Sequence, residues 1–156
     1  MSTNGGVGGR EVLVINGPNL NLLGFREPAA YGTQTYSALE QLVAETGTSL
    51  GLETRCVQSN HEGQIIDWLH AARETAAGIV LNPAAYTHTS IGIRDAVLAL
   101  EIPVVEVHIS NIHSRESFRD RSFVAEVADA IVIGAGFYSY VMGLQFIAHR
   151  LETTHS

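Results

Sequence analysis

The sequence predicts an α/β fold: a doubly wound parallel sheet of five strands with helices on both faces. Short apolar runs rich in β-branched residues alternate with longer segments of helical spacing along the whole chain. Such β-α-β alternation favours parallel strands covered by their connecting helices. A length of 156 residues suits one domain with one core. We therefore expect a single domain over residues 11–151, with a flexible tail at 1–10 and a short C-terminal tail at 152–156.

The predicted elements follow one another in regular order. The strands cover 11–15, 52–58, 78–82, 103–109 and 130–134. The helices cover about 35–50, 62–76, 89–100, 114–127 and 138–151. Thr35 is an ordinary N-cap for the first helix, whereas Thr89 or Ser90 is a better cap for the third. The segment "GAGFYS" at 134–139 is similar to a dinucleotide-binding motif, but Ser139 replaces the third glycine, so we predict a plain turn.

Polar side chains gather just after the predicted strands rather than just before them. In an open doubly wound sheet, ligands bind outside the carboxyl ends of the strands. The residues concerned are Asn16 and Asn19 after the first strand, Asn82 and His88 after the third, and Glu106 and His108 at the end of the fourth. The sequence therefore predicts a ligand site at this edge of the sheet.

Glu106 and His108 form the first candidate pair for chemistry. They are two residues apart in a strand and therefore lie on one face of the sheet. A carboxylate there can hold one imidazole nitrogen, fix the tautomer and leave the other nitrogen for a substrate. The alternative is a structural histidine whose hydrogen bond is satisfied by a neighbouring glutamate. The two residues alone leave both interpretations open.

The loop at 16–34 carries the second pair, Arg26 and Tyr31. It is far longer than the usual strand-to-helix connection of about two to six residues, which is typical of an active-site lid. A tyrosinate base is possible if a guanidinium lowers the tyrosine pKa, and Arg115 is a candidate for a second such guanidinium. The alternative is a tyrosine that closes a loop and an arginine on the surface.

The segment after the fourth strand is suited to a carboxylate. The backbone N–H groups of Ile109 and Ser110 lie at a predicted strand-to-helix turn. Arg115 and Arg119 follow four residues apart and would share a face of the predicted helix. A solvated helix face is the alternative interpretation of these two arginines.

Composition excludes several classes of function. The formal net charge is −7 and the arginines are scattered, so we expect neither nucleic acid nor a membrane surface as a partner. The chain has no lysine, which excludes Schiff-base catalysis and lysine-anchored cofactors. Cys56 is the only cysteine, so we expect no disulfide and a cytoplasmic location. Without metal-binding motifs around the histidines, we expect no metal site.

Four segments together resemble type II 3-dehydroquinate dehydratase, over about residues 11–151. They are "NGPNLNLLGFREPAAYG", "QSNHEGQIIDWLH", "LNPAAYTHTSIGIRDA" and "PVVEVHISNIHSRESFR". The resemblance implies a flavodoxin-like fold with strand order 2-1-3-4-5, no cofactor or metal, and anti elimination of water from 3-dehydroquinate to give 3-dehydroshikimate. One departure is Ser139, where the family commonly has glycine. We expect it to lie away from the proposed chemistry.

The resemblance also assigns roles to individual residues. Tyr31 corresponds to the base that takes the proton from C2, and Arg26 to its electrostatic partner on a mobile lid. Asn19 corresponds to the residue that stabilises the enolate oxygen through a water. His108 would protonate the departing C1 hydroxyl, held by Glu106.

Further positions correspond to residues that bind the substrate or the neighbouring subunit. The substrate-binding positions are Asn82, His88, Arg119 and the amides of Ile109 and Ser110, with Arg115 as a further candidate. Asp95 corresponds to a residue that reaches the site of a neighbouring subunit, since the family assembles as a dodecamer built from trimers. Aromatic biosynthesis and quinate breakdown use the same step, so either role fits.

Two other functions are compatible with the same architecture but fit the residues poorly. A flavin- or phosphate-binding module needs a first loop rich in Ser, Thr and Gly, and "GPNLNLLG" offers amides and leucines instead. A phosphate-accepting receiver domain needs an acidic pocket and a lysine, but the first strand ends in Asn16 and the chain has no lysine.

Overall fold

A computed structural model describes residues 11–25, 29 and 34–154. Within this part of the chain, five parallel strands form one sheet in the order β2-β1-β3-β4-β5. The strands are β1 (Glu11–Asn16), β2 (Glu53–Gln58), β3 (Gly78–Asn82), β4 (Val104–His108) and β5 (Ala130–Ile133). The predicted fold class and the strand order implied by the resemblance are both confirmed.

The α-helices of the described residues confirm four of the five predicted helices. They are α1 (Tyr36–Ser49), α2 (Glu62–Thr75), α3 (Ile91–Leu98) and α4 (Tyr138–Thr154). The hydroxyl of Ser90 caps α3 by accepting a hydrogen bond from the Ile93 amide at 2.9 Å. Helix α4 continues three residues past its predicted end, into the segment expected to be a tail. No helix within the described ranges is both long and apolar enough to cross a membrane.

The fifth predicted helix, at 114–127, is wrong. The structure has short 3₁₀ turns at Ile112–Ser114 and Ser117–Arg119, followed by irregular backbone. Polar side chains compete here for the backbone groups that a helix would use. The Asn111 side chain accepts the His113 N–H at 3.1 Å, and the Ser122 hydroxyl accepts the Ala125 N–H at 3.0 Å. Arg115 and Arg119 therefore do not share a helix face.

Alternate residues of the central strands β1 and β3 face two separate apolar layers. Val12, Val14 and Val80 pack with buried residues of α1 and α4. Leu13 and Ile79 pack with buried residues of α2 and α3 on the opposite face. Strands that are buried on both faces are typical of a doubly wound sheet. This packing places the carboxyl ends of the strands at one edge.

Parallel pairing aligns the ends of the strands. Asn16 at the end of β1 pairs with Asn82 at the end of β3, and His108 ends β4 beside Ile133 of β5. The loops that follow β1, β3 and β4 therefore converge on one edge, where the polar residues were predicted to meet.

Candidate active site

A small polar pocket lies at the carboxyl edge of the sheet. Its volume is about 30 Å³, and it adjoins a wider cleft of about 620 Å³ with which it shares Ile109, Ser110 and Arg115. The predicted site residues among its lining are Asn82, His88, His108, Ile109, Ser110, Arg115 and Arg119. The structure thus brings together residues from the loops after β3 and β4, as the sequence predicts.

His108, which lines this pocket, forms a buried contact with Glu106. The His108 Nε2 lies 2.5 Å from the Glu106 Oε2, and both side chains are almost fully buried. A carboxylate accepts hydrogen bonds, so Nε2 carries the proton that it donates to Glu106. The other ring nitrogen, Nδ1, is left as the one available to a ligand. The predicted carboxylate–imidazole contact is therefore present.

Two hydroxyl groups complete the surroundings of Glu106. The Thr87 Oγ1 lies 2.6 Å from Glu106 Oε2, and the Ser122 Oγ lies 2.8 and 3.1 Å from the two carboxylate oxygens. Burial raises the pKa of Glu106, but hydrogen bonds from His108, Thr87 and Ser122 outweigh it and hold that pKa below its usual range. The carboxylate is consequently ionised near neutral pH.

His88 presents a hydrogen-bond acceptor to the pocket. Its Nδ1 lies 2.7 Å from the Arg121 carbonyl oxygen, so Nδ1 carries the proton and Nε2 keeps its lone pair. Burial lowers the pKa of His88 below its ordinary value. A neutral ring at neutral pH suits the predicted role of His88 as a substrate-binding residue.

Asn82 is held in one orientation by its two neighbours. Its Oδ1 accepts the Ala84 N–H at 3.0 Å, and its Nδ2 donates to the Tyr140 hydroxyl at 2.8 Å. That hydroxyl in turn donates to the Asn16 Oδ1 at 2.6 Å. Tyr140 is fully buried, so this chain of hydrogen bonds connects α4 to the ends of β1 and β3.

Replacing Tyr140 with phenylalanine should destabilise the fold by about 1–3 kcal/mol, because the buried Asn16 Oδ1 and Asn82 Nδ2 each lose the hydrogen bond to its hydroxyl. The urea midpoint at fixed protein concentration measures this change. Tyr138→Phe is the matched control, since Tyr138 is the α4 tyrosine that is 56% exposed. Equal midpoints for the two variants would contradict the role given to the Tyr140 hydroxyl.

Asn19 begins the turn after β1 in a left-handed conformation, with φ of 70°. Its backbone N–H donates to the Asn60 Oδ1 at 3.0 Å, and Gln58 donates to the same oxygen at 3.1 Å. The Asn60 carbonyl accepts the Tyr86 hydroxyl at 2.7 Å. The "QSNHEG" segment thus supports the loop of Asn19, whose own side chain is exposed.

Two arginines supply positive charge to the pocket. The side chains of Arg115 and Arg119 are 13% and 19% exposed. The Arg119 Nε donates to the Glu116 carboxylate at 2.7 Å, and the Arg115 Nε lies 3.9 Å from that carboxylate. These two guanidinium groups make the pocket, which Ile109 and Ser110 also line, suitable for an anion, although the chain as a whole is acidic.

Asn19 and Asp95 are predicted site residues that do not line this pocket. Arg26 and Tyr31 lie outside the described residues. Asp95 lies on the surface of α3, with its side chain 64% exposed and 3.4 Å from the Arg94 Nη1. No group of three or more metal-ligating side chains was found in the ranges 11–25 and 34–154 or at Ala29.

The expectation that Ser139 lies away from the chemistry is wrong. Its hydroxyl donates to the His108 carbonyl oxygen at 3.0 Å and accepts the Ala135 N–H at 3.1 Å. Sequence reasoning also missed Thr87, Ser122, Asn60 and Tyr140. Ser139 ends the motif "GAGFYS", and Asn60 lies in the segment "QSNHEG". Nothing in the local sequence indicated which groups these two residues would contact.

Comparisons with known proteins extend over nearly the whole chain. Residues 10–148 match the family described as dehydroquinase class II. The chain is 54% identical over 141 residues to 3-dehydroquinate dehydratase 2 of Pseudomonas putida, covering 90% of this chain and 95% of that protein. It is 48% identical over 141 residues to catabolic 3-dehydroquinase 2 of Aspergillus flavus, covering 90% and 92%. Type II dehydroquinase of Butyrivibrio crossotus superposes with a TM-score of 0.87 at 44% identity, over 88% of this chain and 97% of that one.

Proposed function

The chain belongs to the class II dehydroquinase family, and we propose that it removes water from 3-dehydroquinate through an enolate to give 3-dehydroshikimate. In this proposal Tyr31 takes the proton from C2 and His108 donates a proton to the departing C1 hydroxyl. The observation that carries the proposal is the buried contact between His108 and Glu106 inside a pocket lined by arginines.

The geometry of that contact supports the assignment of His108 as the acid. Glu106 accepts the hydrogen bond from Nε2 of His108, so Nδ1 is the nitrogen left for a ligand. When Nδ1 also carries a proton, the ring is positively charged, and the ionised Glu106 stabilises that charge. A hydroxide is a poor leaving group, so protonation as the C–O bond breaks lowers the barrier.

The substrate carboxylate and hydroxyls are assigned to separate parts of the pocket. We assign the carboxylate to the amides of Ile109 and Ser110, next to a guanidinium. We assign the ring hydroxyls to Asn82, His88 and Arg119, which line the same pocket. His88 accepts and Arg119 donates, so the two side chains distinguish donor from acceptor positions on the ring.

The assignment of Tyr31 as the base rests on the chemistry of the reaction and on the resemblance of the sequence to the family. Abstraction at C2 next to a ketone needs a strong base and a group that stabilises the enolate oxygen. Tyr31 with Arg26 supplies the first, and Asn19 supplies the second through a water. Ala29 lies between Arg26 and Tyr31 in the sequence, and Gln34 follows them. Ala29 and Gln34 both line the wider cleft, as does Arg115. Closure of the loop over that cleft would exclude water and strengthen the charge interaction.

The assembly is also a proposal, a dodecamer built from trimers in which Asp95 reaches a neighbouring site. Asp95 is exposed and lies outside the pocket of its own chain. Ile91 and Leu98 on the same helix are 58% and 60% exposed, which is typical of a surface that packs against another subunit. Light scattering distinguishes a dodecamer from a trimer or a monomer.

Purified protein should convert 3-dehydroquinate to 3-dehydroshikimate. The ultraviolet absorbance of the conjugated product measures this conversion. Borohydride added during turnover should not inactivate it, because a chain without lysine forms no side-chain imine for borohydride to reduce. Absence of the absorbing product would refute the proposed reaction. Irreversible inactivation by borohydride only in the presence of substrate would refute the enolate route without a covalent imine.

A further inference from the structure

The hydroxyl of Ser139 joins three backbone segments at the site. Ser139 is fully buried in the first turn of α4. It donates to the His108 carbonyl oxygen at 3.0 Å, and the Gly134 N–H donates to the same oxygen at 3.1 Å. It also accepts the Ala135 N–H at 3.1 Å. The carbonyl at the end of β4 is therefore fixed by two donors, one of which is the Ser139 side chain.

That carbonyl and the Ile109 amide belong to one peptide group. A trans peptide is planar, so its C=O and N–H point in opposite directions. Two hydrogen bonds that hold the carbonyl of His108 consequently fix the direction of the Ile109 N–H on the other side of the plane. Hydrogen bonds to a carbonyl also polarise the N–H of the same peptide group and make it a stronger donor.

We propose that Ser139 is a positioning residue that orients and polarises the Ile109 N–H toward the carboxylate of the substrate. This inference rests on the proposed function, in which that amide binds the carboxylate. Ser139 touches neither the substrate nor the reacting atoms, and acts through the peptide between His108 and Ile109. Its loss should therefore weaken substrate binding more than it slows proton transfer.

The size of the side chain at position 139 predicts that alanine disturbs the site more than glycine does. Glycine would leave a polar space, next to the His108 carbonyl and the Ala135 N–H, large enough for a water that replaces both hydrogen bonds. Alanine would leave too little room for a water, so the Ala135 N–H loses its partner. Helix propensity predicts the reverse order, because alanine is the better helix former.

The test compares Ser139→Ala with Ser139→Gly in the full-length protein. We expect KM for 3-dehydroquinate to rise roughly three- to tenfold in Ser139→Ala, the range for one lost hydrogen bond, with kcat within about twofold of the parent. Ser139→Gly should lie closer to the parent. Ser49→Ala is the control, since the exposed Ser49 hydroxyl also donates to a carbonyl but at the far end of α1. A fall in kcat with KM unchanged, or Ser139→Gly as the weaker binder, overturns the proposal.

A second measurement needs no turnover. In protein labelled with ¹⁵N-isoleucine and free of substrate, the Ile109 amide proton should shift upfield in Ser139→Ala and stay in place in Ser49→Ala. An unmoved Ile109 resonance overturns the role of Ser139 even if the enzyme is active. If the parent protein fails to convert 3-dehydroquinate but the resonance moves, the proposed function fails and the structural coupling stands. Ser139→Cys, which retains a weaker donor, serves if the alanine variant does not fold.

Discussion

Replacing His108 with alanine should lower kcat for dehydration by roughly 10²- to 10⁴-fold, the usual contribution of a general acid or base. The variant removes the only group that we assign to protonation of the leaving hydroxyl. The fold should persist, because Glu106 keeps the hydroxyl hydrogen bonds from Thr87 and Ser122. Circular dichroism and the ultraviolet assay together measure both expectations.

The same variant should still exchange the C2 hydrogen of the substrate for deuterium in D₂O. Proton abstraction and enolate stabilisation are assigned to other residues, so only the second half of the elimination is lost. His149→Ala is the matched control, because His149 is exposed on α4. Turnover near the parental rate in His108→Ala, or loss of both exchange and dehydration, would contradict the assignment of His108 as the acid alone.

Hydrophobic periodicity was sufficient to predict the sheet and four of the helices. Buried parallel strands are continuous apolar runs, and "GIVLN" and "EVLVI" are short runs of this kind that are rich in β-branched residues. The helix predicted at 114–127 is absent, although the spacing of charged and apolar residues in this segment is typical of a helix. The capture of backbone groups by Asn111 and Ser122 depends on side-chain conformations that spacing does not report.

The candidate site was predictable where its residues share a strand and unpredictable where they come from different loops. Glu106 and His108 are two apart in β4, so their contact follows from the geometry of an extended chain. Thr87 and Ser122 reach the same carboxylate from loops that are distant in sequence. Only the requirement that a buried carboxylate find hydrogen-bond donors indicates that such groups must exist.

The first turn of α4 connects the elements of the site. Ser139 bonds to the end of β4, and Tyr140 bonds to Asn16 of β1 and Asn82 of β3. Adjacent residues of one helix thus hold the carboxyl ends of three strands. This arrangement explains how loops of different length present their polar groups at a common edge, since α4 is packed on the sheet by a fully buried apolar face.

Replacing Tyr31 with phenylalanine should reduce dehydration by roughly 10²- to 10⁴-fold and should also abolish deuterium exchange at C2. A tyrosine with its ordinary pKa of about 10 is ionised in about one molecule in a thousand at neutral pH. Lowering that pKa by about 3 units needs on the order of 4 kcal/mol, which the guanidinium groups of Arg26 and Arg115 could supply in a closed, dry site. Phenylalanine removes the base and leaves no replacement.

The two variants, taken together, separate the steps of the reaction. If Tyr31 is the base and His108 the acid, exchange at C2 is lost in Tyr31→Phe and retained in His108→Ala. Tyr138→Phe controls for removal of a tyrosine hydroxyl from an exposed position. Retention of exchange in Tyr31→Phe would assign proton abstraction to another group, and the enolate would then have to form without the phenolate that this proposal requires.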